Sequence, residues 1–444
     1  MLPHYVTYLF YRCGAALISL LSIEAAFRVG GSLGGCAYWI APRLRRVAVA
    51  NLTRAFEEKA PDEVRKLARQ NFVQLGANLV SGLKLTSMSQ GDISARLTIE
   101  IPEEVTARRQ SERRGWIAML SHLGNWEVFT QLGHLLSEYQ IGAAYQPLRN
   151  RFIDAHFREL RAKAGVRLFD RNSELLGAST FLREGGALGV LVDQRAGDSG
   201  LWTPLFGRLA STSMLAATLS HRSGSGIVPI AVYTVGVARW RIVVSNVIER
   251  SETIPATVEK MNQCLAVQIR QAPADWLWAH DRWKTPRYQI LLSNAPHGIQ
   301  CSDRSSLKAF RVLAVLPRDD VACNAAQPAL KAIKESRPDV SLTVVGSPAQ
   351  VNAVAPLVDR FVPWGNRRSV FAMARTLGGQ DVAYLFASDW RSLVCAALSG
   401  TPRRVGYASS WARLLLHQIV RTDNHDTSSE SYYLALVRAT GGPT

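Results

Sequence analysis

The chain has 444 residues, 47% of them apolar, enough to fill the cores of two or three domains and to exclude a wholly disordered protein. Lysine and arginine outnumber aspartate and glutamate by 52 to 35, a net charge of +17. Residues 1–300 hold 35 of the basic and 24 of the acidic side chains, so the excess is not a tail but a field over the whole chain that favours anionic partners. No RNA-binding motif or long basic block turns that field toward nucleic acid; a membrane face or an acidic protein fits better. The 6 cysteines form no CxxC pair, which argues against a disulfide framework or a zinc site and for a reducing compartment; no metal is expected.

In chain order, CGAALISLLSI at 13–23 is apolar but flanked by Arg12, Glu24 and Arg28. VGGSLGGCAYWIAP at 29–42 is apolar again and runs into Arg43, Arg45 and Arg46. Neither run reaches the roughly 18–20 uncharged residues of a secure spanning helix. The first eleven residues lack lysine and arginine, unlike a signal peptide. Residues 1–42 read either as a buried helix pair or, as we expect, as a membrane-associating helical region with its arginines on the cytoplasmic side.

Residues 43–95 place apolar side chains three and four apart and are predicted helical. From residue 114 the pattern changes. WIAML, IGAAY, ALGVLV, GIVPIAVY and WRIVVSNV read as strands. NRFIDAHFRELRAKAG, SELLGASTFLREG and SMLAATLSHRSG read as helices closed by glycine. The alternation predicts an α/β sheet domain over 43–285. Residues 286–308 are rich in proline, serine and asparagine and read as a linker. A second α/β unit is expected at 309–444: RVLAVLP as a strand, ALKAIKESRPDV as a helix ending before proline, then SLTVVGSP and DVAYLFA as strands.

Chemistry concentrates at 121–129, SHLGNWEVF, where a histidine in a short polar break is followed five positions later by a carboxylate. The spacing His-x(4)-acid occurs twice, at His122–Glu127 and His425–Glu430, but only the first follows an apolar run. On a continuous helix residues five apart lie about 140° from each other. His122 and Glu127 therefore meet only if Gly124 and Asn125 turn the chain. A strand that ends in a turn and opens a helix gathers side chains and free N–H groups at one mouth. There one imidazole nitrogen can accept a proton while a carboxylate holds the other.

SHLGNWE resembles the H-x(4)-[DE] motif of lysophospholipid and lipid A acyltransferases. YQPLRN (145–150), LVDQRAGDSGLWTPLFGRLASTS (191–213) and PADWLWAHDRWK (273–284) resemble, in order, further segments of the lipid A late-acyltransferase family. The resemblance spans about residues 5–285. It implies transfer of an acyl chain to a hydroxyl of a lipid A precursor in lipopolysaccharide biosynthesis, at the cytoplasmic face of the inner membrane. The donor would be a phosphopantetheine thioester on acyl carrier protein, with no other cofactor. Carried across, His122 is the general base and Glu127 orients it; Arg161 and Asp193 are catalytic. Asn125, Asn150, Gln194, Arg282 and Lys284 are substrate-binding. Gln146 departs from the family's arginine and removes one charge near a site expected to meet phosphates. Another glycolipid or membrane lipid is the alternative acceptor. A non-catalytic saccharolipid-binding protein, or half of a split glycosyltransferase, is the alternative outside acyl transfer. Trp276, Trp278 and Trp283 suit either core packing or a membrane belt.

The C-terminal unit, through 310–348, TPRRVGYASS and HDTSSESYYLALVRATG, resembles the first of the two Rossmann-like halves of heptosyltransferases. Asp319-Asp320 stands where that family has Gly-Asp. The resemblance implies a Rossmann-like half-domain serving as a saccharide-binding appendage or structural remnant, without glycosyl transfer of its own.

Overall fold

The structure, a computed structural model, describes residues 1–111, 114–131, 139–286, 288–364, 369–387, 389–407, 412–421 and 426–443. His425, residues 132–136 of the apolar run after Glu127, and 408–410 of TPRRVGYASS lie outside them. The chain divides into two compact units, one of residues 1–206 and 210–283, the other of 207–209 and 284–444.

The first unit opens with helices α1 (Leu2–Ser19), α2 (Ile23–Ile40), α3 (Pro42–Ala55) and α4 (Pro61–Leu85). Helix α1 buries no residue. Tyr5, Tyr8 and Tyr11 rest on Phe152, His156 and Phe157 of α5 (Arg151–Lys163), while Leu2, Val6, Leu9, Phe10 and Leu17 stay exposed. Helix α2 buries Ile23 and Tyr38 near its ends and small residues, Ala26, Gly30, Gly31 and Gly34, between them: a Cβ on Gly34 would lie 2.0 Å from the Phe72 carbonyl oxygen, and one on Gly76 2.3 Å from that of Gly30. Hydrogen side chains there let α2 and α4 touch backbone to backbone. The outer face of α2 exposes Val29, Leu33, Trp39 and Ile40. Among the described residues no helix is long and apolar enough to cross a membrane.

A seven-stranded sheet follows. Its strands are β1 (Leu97–Glu100), β2 (Trp116–Leu120), β3 (Ile141–Tyr145), β4 (Val166–Asp170), β5 (Ala187–Leu191), β8 (Gly226–Gly236) and β9 (Arg239–Val244), in the order β1-β9-β8-β2-β5-β3-β4. Neighbouring strands run parallel except β8 and β9, which are antiparallel. Helices α5, α6 (Leu175–Arg183), α7 (Leu215–Ser223) and α8 (Ile254–Gln271) cover it, and β6 (Leu201–Leu205) pairs with β7 (Arg208–Thr212) in a two-stranded ribbon. The expected strands and helices form. β1, β4, the ribbon and α8 were not among them, because short strands such as VRLFD alternate too briefly to stand out. Trp276, Trp278 and Trp283 are all buried in the core and do not form a membrane belt.

The second unit is a six-stranded, wholly parallel sheet. Its strands are β10 (Phe310–Val315), β11 (Val340–Gly346), β12 (Arg360–Pro363), β13 (Val382–Leu385), β14 (Arg404–Tyr407) and β15 (Gln418–Val420), in the order β12-β11-β10-β13-β14-β15. That is the doubly wound order with its switch point between β10 and β13. Two expectations need correction. The helix expected from Ala329 begins at Asp320, running through Pro328 as α9 (Asp320–Glu335), because Asp319 caps it and Ala322, Ala326, Leu330 and Ile333 bury one continuous face. Proline removes one N–H and crowds the carbonyl four residues back, and burial of that face outweighs both costs. The segment 286–308 is not a bare linker: Ile290, Leu291 and Leu292 are buried, and Leu291 N–H donates to the Thr440 carbonyl at 2.9 Å.

Candidate active site

Strands β2 and β5 pair with Leu120 opposite Leu191, and Val192 N–H extends the ladder to the Leu120 carbonyl at 3.0 Å. Continuing that register two residues past each strand sets His122 opposite Asp193. Side chains two apart on a strand share a face, so a histidine and a carboxylate emerge together from adjacent strand ends. The Asp193 carboxylate accepts from His122 Nδ1 at 2.8 Å, from the His122 backbone N–H at 2.8 Å and from Trp276 Nε1 at 2.8 Å. Three donors satisfy a carboxylate that is only 2% exposed.

Gly124 makes the turn that follows, with φ of +60°. A Cβ there would sit 2.3 Å from the Val232 carbonyl oxygen, so both the backbone angle and the space demand glycine. The loop is tied to the segment that carries Trp276: Gly124 N–H donates to the Asp275 carbonyl at 3.0 Å, and Leu277 N–H to the His122 carbonyl at 3.1 Å. Trp126 stands edge-on to the His122 ring, centroids 5.0 Å apart.

Burial disfavours the charged imidazole, but the Asp193 charge, its hydrogen bond and the Glu127 charge outweigh it and raise the His122 pKa above 6.5. Burial likewise opposes ionisation of Asp193; the His122 charge and hydrogen bonds, with the Trp276 indole, reverse that and hold its pKa below 3.8. The pair is an ion pair when His122 is protonated. When neutral, the ring donates from Nδ1 and leaves Nε2 as an acceptor.

His122 and Glu127 line one cavity of about 750 Å³ with Arg161 and Gln194. Glu127, in the first turn of a short 3-10 helix (Trp126–Gln131), thus reaches the site, but the carboxylate bonded to the imidazole is Asp193. The expectation that Glu127 orients the ring is corrected accordingly: the strand register delivers Asp193 to Nδ1, and Glu127 acts on His122 through charge.

The other expected substrate-binding residues are not on this cavity wall. Asn125 is 1% exposed, with its side-chain nitrogen 3.4 Å from Ser81 Oγ. Asn150 caps α5, accepting from Phe152 N–H at 3.1 Å. Arg282 is fully buried, donating to the Ser211 carbonyl at 2.6 Å and to Thr212 Oγ1 at 2.8 Å, and burial pulls its pKa down to about 10. It braces the β6–β7 ribbon and faces neither lipid nor water. Lys284 is exposed in the second unit. Conversely, Arg149, Arg171 and Arg195 line the cavity and were not selected from sequence. Arg171 immediately follows β4, at FDR, and Arg195 stands four residues past β5, at VDQR, on the side where parallel sheets gather ligand contacts.

Residues 1–285 match the family model of bacterial lipid A biosynthesis acyltransferases. The chain belongs to that family. It is an acyltransferase. It is 27% identical over 278 residues to the lipid A biosynthesis lauroyltransferase of Escherichia coli, covering 61% of this chain and 88% of that one. It is 24% identical over 261 residues to the palmitoleoyltransferase of the same organism, covering 58% and 84%. A lipid A biosynthesis acyltransferase of Shigella flexneri matches to the same extent, 24% over 261 residues. Among solved structures, the acyltransferase is similar to a glycosyl transferase family 9 protein from Veillonella parvula at 15% identity, TM-score 0.27, over 31% of this chain and 43% of that one. It is also similar to the Escherichia coli ADP-heptose lipopolysaccharide heptosyltransferase II at 18% identity, TM-score 0.24, over 26% and 35%. The chain spans less than half the length of either.

Proposed function

We propose that this acyltransferase moves a fatty acyl chain from a thioester on acyl carrier protein to a hydroxyl of a lipid A precursor, with His122 as general base. The observation that carries the reading is the buried His122–Asp193 pair opening on a cavity of about 750 Å³. Neutral His122 takes the acceptor hydroxyl proton on Nε2 as the oxygen attacks the thioester carbonyl. The tetrahedral oxyanion then collapses with cleavage of the carbon–sulfur bond, and the imidazolium returns its proton to the departing thiolate. Asp193 holds the ring and stabilises the imidazolium in between. Glu127 adds negative charge that favours the same protonated intermediate. The net charge of +17 suits an acidic carrier protein.

Replacing His122 by alanine should lower the rate about 10²–10⁴-fold without unfolding the chain. Activity above a tenth of wild type, in an assay with acyl carrier protein thioester and lipid A precursor, overturns the base assignment.

The exposed apolar faces of α1 and α2, followed by Arg43, Arg45 and Arg46, support seating on the cytoplasmic face of the inner membrane. Full-length protein should float with anionic vesicles, and protein lacking residues 1–20 should float less. A full-length protein that stays wholly in the soluble fraction removes this seating.

A further inference from the structure

His122 shares its cavity with a set of arginines and apolar side chains, and polar groups of that wall are unsatisfied among the described residues. Four guanidinium groups line it, from Arg149, Arg161, Arg171 and Arg195, against a single carboxylate, Glu127. Tyr145, the last residue of β3, also lines it and is 8% exposed, yet its hydroxyl is buried with no hydrogen-bond partner among the described residues. Arg161 Nε is buried and likewise unpartnered among them, and its guanidinium lies 5.8 Å from the Tyr145 ring centroid and 5.7 Å from that of Phe157. An unmade bond to a buried polar group is costly, so such donors on a cavity wall imply an acceptor that arrives with the substrate.

Resting on the acyl-transfer reading, we infer that Tyr145 and Arg161, with Arg149 and Arg171 at the rim, form a subsite for a phosphate group of the substrate, separate from the reacting centre. An oxygen-rich anion is the group that fits, because four guanidinium groups line the cavity against one carboxylate and guanidinium forks match phosphate geometry. Strand order fixes its place. β5 lies between β2 and β3, so Tyr145 leaves the sheet two strands from His122, roughly 10 Å at ordinary strand spacing. That separation suits a hydroxyl and a phosphate on the same sugar headgroup. The subsite also explains how the chain tolerates Gln146: Arg149 and Arg171 supply the positive charge nearby. Arg161 thereby binds substrate and does not take part in proton transfer.

Phosphate could enter on the acceptor headgroup or on the phosphopantetheine arm of the donor, and kinetics separate the two. The full chain is assayed with a phosphorylated and a dephosphorylated glucosamine lipid acceptor. Each is paired with acyl carrier protein thioester or with acyl-N-acetylcysteamine, which has no phosphodiester. For wild type, removing the acceptor phosphate should lower kcat/KM about 10–100-fold. In Tyr145→Phe and in Arg171→Gln, the ratio between the two acceptors should shrink toward one. If the variants instead lose discrimination between the two donors, the phosphate is the donor's and the headgroup placement is overturned. Variants that discriminate as wild type does on both sides overturn the subsite. A readout without turnover keeps this apart from the catalytic reading: isothermal titration of the full-length His122→Ala chain with inorganic pyrophosphate should still show binding, lost on adding Tyr145→Phe. Binding unaffected by Tyr145→Phe also overturns the subsite, whatever the fate of the base assignment.

Discussion

Both units build a sheet, mostly parallel in the first and wholly parallel in the second, and place an aspartate just beyond the carboxyl end of a strand, but the two aspartates have different surroundings. In the second unit Asp389 caps a helix (Trp390–Leu398): its carboxylate accepts from Arg391 N–H at 3.0 Å, Ser392 N–H at 3.1 Å and Ser392 Oγ at 2.7 Å. Asp319 does the same at the start of α9, accepting from Ala322 N–H at 2.8 Å. In the first unit Asp193 has no helix to cap, and the neighbouring strand ends in a histidine at matching register. A strand-end carboxylate becomes a helix cap or a charge partner according to what the next strand offers. The cavities beside them also differ, about 750 Å³ at His122 against about 120 Å³ at Asp389.

The sharpest way to break the contrast is to neutralise each aspartate. Asp193→Asn keeps the shape but removes the charge that stabilises imidazolium and presents the ring with an amide able to favour the wrong tautomer. The acyl-transfer rate should fall about 10²–10⁴-fold while the circular dichroism spectrum is retained. A loss under fivefold would make Asp193 a purely structural tie between His122 and Trp276.

The pH profile comes next in size. Because the base must be neutral and Asp193 and Glu127 raise its pKa above 6.5, the acidic limb of the rate profile should lie above pH 6.5, with about a tenfold loss per unit well below the pKa. The sign for stability is opposite. A raised histidine pKa stabilises the fold fully below 6.5 and not above the folded value, whereas the lowered Asp193 pKa stabilises it above 3.8. His122→Ala should therefore cost most stability between those two values and less as pH rises. Chemical denaturation at pH 5.5 and pH 8.5 checks it; a cost that grows with pH contradicts the ion pair.

The smallest effect belongs to the second unit. Asp389→Ala should leave acyl transfer within about twofold of wild type and destabilise its own unit by about 1 kcal/mol, the worth of a helix cap. A large loss of transfer would show that the second cavity serves the reaction.

Much of this contrast was legible in the sequence. WIAML and ALGVLV are apolar enough to be strands, and SHLGNWE announces a turn at Gly124. What periodicity does not contain is register. Nothing in the spacing of His122 and Glu127 shows that a residue 71 positions away takes the ring, although both His122 and Asp193 stand two residues past a strand end. The cationic wall was hidden for the same reason: Arg149, Arg161, Arg171 and Arg195 converge only after three strands and a helix are assembled. Local composition also misled at 286–308, where Ile290, Leu291 and Leu292 are buried among residues that otherwise read as loop, and at Pro328, where burial of one face overrides a helix breaker.

The pairing of His122 with Asp193 depends on parity. Each lies an even number of residues beyond its strand's last paired position, so both point to the same side, and a one-residue slip in either strand would send one of them through the sheet. The connections that leave and return between them carry no such condition. Residues 146–165, which include α5, and 171–174 bear Arg149, Arg161 and Arg171, and their placement does not depend on that parity. The fold therefore separates two kinds of placement: strand phase sets the His122–Asp193 pair, while the arginines of the cavity wall are carried by the connections and by α5.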